Sequence, residues 1–120
     1  ILFDDNIMDV IQANGNDAEL AQAYQRIQGT RTGGGTDVYK AILEAFKELA
    51  AYDLANYTPA IVLLTDGQSM QSNENQVINQ YNAMNRDIPI FSIMYGDANP
   101  DQLQALADLT DAFKKVKGYN

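Results

Sequence analysis

Two short segments of this chain carry oxygen donors where a hard cation could use them. Gly33-Gly34-Gly35-Thr36-Asp37 sets a hydroxyl and a carboxylate after three glycines, and Leu63-Leu64-Thr65-Asp66-Gly67 sets the same pair at the end of an apolar run. Each sits at a joint where relaxed backbone meets regular structure, so donors from both can converge. A Mg²⁺-like ion takes about six oxygens at roughly 2.0–2.1 Å and keeps several waters, so one or two carboxylates plus a hydroxyl suffice. Thr36 is the candidate hydroxyl ligand, and Asp66 the candidate carboxylate, bound directly or through water. A cation held by so few negative groups retains positive charge. It attracts a carboxylate from a partner, which is the chemistry of recognition.

The elements that must position these residues alternate between strand and helix. Ile1-Leu2-Phe3 is a short apolar run stopped by Asp4-Asp5-Asn6, and Ile7 to Ile11 resumes an extended path until Asn14-Gly15-Asn16 turns it. Both read as edge structure. Asp17 is the expected N-cap of a helix to about Gln28, with Leu20, Ala23, Tyr24 and Ile27 on its inner stripe. Thr36 is the expected cap of the next helix, which runs to about Leu54 with Val38, Ile42, Ala45, Phe46 and Leu49 inward. Ala60 to Leu64 is apolar without alternation, the pattern of a parallel strand covered on both faces. A polar loop, Gln68 to Asn73, leads to a helix ending near Asn85, then to a second buried strand over Ile88–Tyr95 and a helix ending near Leu109. Asp111 to Val116 reads as further helix. The order predicts an α/β, Rossmann-like, doubly wound and mostly parallel sheet flanked by helices. Ligands of such sheets bind at the carboxyl ends of the strands, where Asp66 and Asp97 both fall.

Composition removes several functions. The 120 residues allow one domain, and 16 acidic against 8 basic residues give a net charge of −8, which repels phosphate backbones and anionic lipid. Nucleic acid is not an expected partner, and no apolar run is long enough for insertion into a membrane. The absence of His and Cys removes the commonest base, the thiol nucleophile and typical zinc ligands. The tyrosines are spread through helices, linker and strand, as packing residues with polar tips. Ser69 and Ser72 read as solvated loop polarity, Asp97 as a turn residue, and Lys114, Lys115 and Lys117 as a solvated helix end.

The chain resembles the von Willebrand factor type A family. The likeness rests on Gly33-Gly34-Gly35-Thr36-Asp37 opening a helix, on Ile61 to Gly67 closing a strand, and on Ile90 to Ala98 with the helix after it. It implies a metal-ion-dependent adhesion site holding Mg²⁺, or Mn²⁺ or Ca²⁺, in which Thr36 matches the threonine of the second loop and Asp66 the aspartate of the third. It implies a non-catalytic module that binds a protein or peptide offering a carboxylate. The Gly-Asp-Ala stretch and the terminal Lys117-Gly118-Tyr119-Asn120 resemble a bacterial subgroup joined to a solute-binding-like module, which implies an extracellular or cell-surface setting.

One departure bears on both site and sheet. The family's first strand ends in an Asp-x-Ser-x-Ser loop, and no Asp here is followed two residues later by Ser. The site is thus incomplete as written, and the domain is expected to be partial, with a strand and helix belonging before Ile1 and a gap after Thr110. Two rival functions stay open at this level. One is a metal-dependent phosphotransfer or receiver-like domain with Asp66 as acceptor, which needs a Lys or Arg after a buried strand; none follows within four residues. The other is an interaction module that works without metal.

Overall fold

The computed structural model of the chain describes residues 1–31, 33–66, 68–69, 73–96, 99–109 and 115–117. Strands β1 (Leu2–Phe3) and β2 (Ile7–Asp9) pair antiparallel around the Asp4-Asp5-Asn6 turn, as a small separate ribbon. Helix α1 (Asp17–Gly29) follows. Its cap is Asn16, whose side-chain oxygen accepts the Glu19 N–H at 2.9 Å, so the helix opens one residue earlier than an Asp17 cap requires.

Helix α2 (Val38–Ala50) is the most strongly anchored element, burying Val38, Tyr39, Ala41, Ile42 and Phe46. It stops before Leu54, because Asp53 folds the chain into a turn by accepting the Ala55 N–H at 3.1 Å. Strand β3 (Ile61–Thr65), helix α3 (Glu74–Met84), strand β4 (Ile90–Met94), helix α4 (Pro100–Leu109) and strand β5 (Lys115–Lys117) complete the order. The three later strands form one parallel sheet, β3-β4-β5, with Ile61 opposite Ile90 and Ser92 opposite Lys115. Lys115 and Val116 are therefore strand where the sequence pattern suggested helix; ladder bonding along β4 outweighs local periodicity. The expected gap after Thr110 and helix over 111–114 lie outside the described residues.

The core joins one face of the sheet to three helices: Ile61, Leu63 and Ile90 meet Ile42 and Phe46 of α2, Val77 of α3, and Leu103 and Leu106 of α4. Each such side chain, fully removed from water, contributes roughly 1.5–3 kcal/mol before ordering costs. Phe46 also lies against Tyr81, ring centroids 5.9 Å apart. In β4 the Ser92 hydroxyl is fully buried and has no partner among the described residues.

Two packing expectations are corrected here. Strand β3 is not covered on both faces, since Val62 and Leu64 are 58% and 52% exposed. Helix α1 buries none of its residues, and Leu20, Tyr24 and Ile27 of its apolar stripe are exposed. Periodicity identifies an apolar face but says nothing of what lies opposite it. The ladder shows the same openness at the sheet edge. Ile61 N–H donates to the Pro89 carbonyl and Tyr95 N–H to the Thr65 carbonyl, both at 2.9 Å, which turns Ile61, Leu63 and Thr65 toward β4. The backbone groups of Val62 and Leu64 consequently point the other way, into an apolar groove of about 520 Å³. Across that groove stand Ile1, Leu2 and Phe3, with Ile27 of α1 and Ala41 and Ala45 of α2 beneath. The groove is bordered by a strand on each side.

Candidate metal centre

The carboxyl end of β3 and the start of α2 meet at a second, smaller cavity of about 250 Å³, lined by Phe3, Asp4, Gly33 to Thr36 and Leu64 to Asp66. The glycine segment reaches it because Gly34 takes φ +97°, a conformation that side-chain-bearing residues rarely adopt. A Cβ at Gly34 would lie 3.0 Å from Asp5 Oδ1 and 3.5 Å from Asp4 Oδ2. Glycine thus lets the backbone close on the Asp4-Asp5 turn. Three hydrogen bonds hold that turn against α2: Asp37 N–H donates to the Asp4 carbonyl at 2.8 Å, and Lys40 Nζ donates to the Asp5 carbonyl at 2.8 Å and to Asn6 Oδ1 at 3.1 Å.

Cap assignment differs from the sequence expectation in a way that matters for chemistry. Asp37, not Thr36, caps α2: its Oδ1 accepts the Lys40 N–H at 3.0 Å, and the residue is only 2% exposed. Its other oxygen is 3.5 Å from the side-chain amide of Asn73, at the head of α3. With the cap supplied by its neighbour, the Thr36 hydroxyl has no partner among the described residues and stands at the cavity wall. Two residues into the helix, the Tyr39 phenol is pushed above its usual range by burial first, then by the charges of Glu74 and Asp37.

Asp66 is exposed one residue past β3, where the Thr65 carbonyl is fixed by Tyr95 N–H at 2.9 Å and Gly96, at φ +54°, packs beside it. Thr36 and Asp66, from different elements, therefore share one cavity. Asp4 joins them, half-buried, with one oxygen accepting the Asn6 N–H at 2.8 Å. Sequence reasoning passed over Asp4, although it ends the Ile1-Leu2-Phe3 run as Asp66 ends β3. Asp97 and Ser72 lie outside the described residues. Ser69 is not solvated loop polarity: it is 9% exposed, and its Oγ accepts the Val38 N–H at 2.8 Å.

The donors are a hydroxyl and carboxylates, all hard oxygens suited to Mg²⁺, Mn²⁺ or Ca²⁺. Among the described residues no three acidic groups close on one point as a cage. The set thus fits an ion that keeps much of its water.

A family profile for the von Willebrand factor type A domain matches residues 1–120. The chain belongs to this family. The profile spans both glycine-flanked segments and all three strands of the parallel sheet. Membership carries the family's general role in protein interaction. No curated protein and no solved structure matches this von Willebrand A chain. Among the described residues, no helix is long and apolar enough to cross a membrane.

Proposed function

We propose that this von Willebrand A domain is a non-catalytic binding module whose Thr36–Asp66 cavity holds a divalent cation that bridges to a carboxylate on a protein or peptide partner. The observation that carries the reading is the convergence of Thr36 and Asp66 on one cavity, from two elements joined only through the fold. Thr36 supplies a neutral donor and Asp66 a charged one, with Asp4 beside them able to act through a bound water. When bound, the ion supplies positive charge that two or three such donors leave partly uncompensated. The chain's own residues set the rest. Asp37 and Lys40 hold the Asp4 turn and the head of α2 together, and the Thr65–Tyr95 bond sets where Asp66 leaves the sheet.

The test is Mn²⁺ titration followed by water-proton relaxation, in the chain and in Asp66→Ala. Saturable uptake in the chain, lost in the variant while the circular dichroism spectrum is kept, is the expected result. Equal uptake by both, or none by the chain, refutes the reading.

A further inference from the structure

We propose that Gln102, on α4, is a positioning residue for the cavity, acting as a latch on the segment that follows Asp66. Its side-chain Nε2 donates to the Ser69 carbonyl at 2.9 Å, and its Oε1 accepts the Ser69 N–H at 3.0 Å. One amide thus occupies both backbone groups of a single residue, as a neighbouring strand would. Among standard side chains only Gln and Asn end in an amide, which sets an N–H donor and a C=O acceptor side by side as a peptide group does, and Asn is a methylene shorter. Ser69 passes the constraint on through its hydroxyl, which accepts the Val38 N–H at 2.8 Å in the first turn of α2. That turn immediately follows Thr36 and Asp37. A continuous path therefore runs from α4 through Ser69 to the helix start that presents Thr36, while the same segment leaves Asp66 only three residues upstream.

The base of the latch is itself anchored. Asn99 heads α4, its Oδ1 accepting the Asp101 N–H at 2.9 Å and the Gln102 N–H at 3.3 Å, and Leu103 and Leu106 are buried in the core. Gln102 thus projects from a helix fixed by packing, and Ser69, three residues after Asp66, is held to a rigid reference. Side chains that hold site residues through a rigid support determine how closely donors reach productive geometry. None of the bonds in this path touches the ion site, so Gln102 acts through Ser69 alone.

The inference rests on the cavity being a cation site, and the experiment separates the two. Gln102→Leu removes both bonds at similar volume, and Gln102→Glu keeps an acceptor while losing the donor. Two readouts are taken on each: hydrogen exchange of the Ser69 amide, and Mn²⁺ affinity by water-proton relaxation. For Gln102→Leu the expected result is exchange of Ser69 faster by about tenfold and Mn²⁺ affinity weaker by about tenfold, with the β4 amides unchanged. Gln102→Glu is expected to fall between, which also serves if the leucine variant does not fold. Unchanged Ser69 exchange overturns the latch. Faster exchange with unchanged Mn²⁺ affinity overturns its positioning role and leaves the cation site standing. No uptake by the parent chain overturns the cation reading itself, and the positioning role with it.

Discussion

Replacing Gly34 with alanine isolates the device that brings the glycine segment against the Asp4-Asp5 turn. At φ +97° an L-residue costs on the order of 1–2 kcal/mol relative to glycine. The added Cβ also meets Asp5 Oδ1 at 3.0 Å, which is tighter than ordinary contact. That contact is the smaller effect. Asp5 is exposed and its carboxylate can rotate away, losing at most the 3.1 Å bond from Asn6 Nδ2. Alanine gains about 0.4–1 kcal/mol by restricting the unfolded chain, which would blur a single measurement. Gly33→Ala supplies the control, because a Cβ there meets nothing within 4 Å and its φ is not positive. The unfolded-state gain is common to both variants, so their difference reports the folded conformation. Urea unfolding followed by circular dichroism should place Gly34→Ala about 1–2 kcal/mol below Gly33→Ala. A difference under about 0.5 kcal/mol would refute the claim that backbone conformation, rather than loop composition, requires glycine at 34.

The buried cap offers a second test: Asp37→Ala should lower stability by about 1–2 kcal/mol in thermal unfolding, and Asp37→Asn by markedly less, since asparagine caps helices as well. Equal losses would mean that charge, not the Lys40 N–H bond, is what Asp37 contributes. Tyr39 governs the alkaline side. Its folded pKa lies above the ordinary 10.0, so the native state keeps the phenolic proton longer than the unfolded chain. Its contribution is therefore intact below pH 10 and is lost as pH rises through the folded value. Tyr39→Phe should flatten the stability profile above pH 10, and an unchanged slope there would reject the assignment.

The parts of the site that could be read in the sequence are those where a strand ends directly in a chemical group. Asp66 stands one residue beyond the five uninterrupted apolar residues Ala60 to Leu64, so both its element and its place at the strand end were legible. Asp4 obeys the same rule but follows only three such residues, too few to separate strand from linker. The choice between Thr36 and Asp37 as cap turned on one residue of helix boundary, which local preference does not resolve because both types cap well. Gln102 and Ser69 were out of reach for a different cause: neither has a local signal, and the bond between them exists only once α4 is docked. Lys115 and Val116 were misread because a short charged segment has helical spacing, whereas its structure is dictated by β4.

The strand borders described above also bear on the order in which structure forms. β1 meets β2 across a three-residue turn, a closure the chain can make early and reverse cheaply. Ile61 finds Ile90 only after the whole of α3 has been folded back, and Ser92 finds Lys115 only after α4 has been. The ribbon and helices are thus local events, while the parallel sheet waits on two long closures. Until the second is made, both edges of the β3–β4 pair are open, and the exposed side chains of Val62 and Leu64 stand along one of them. Non-local closures of this kind are the slow ones in folding, so the topology that builds the sheet also prolongs the exposure of its strand edges to intermolecular pairing.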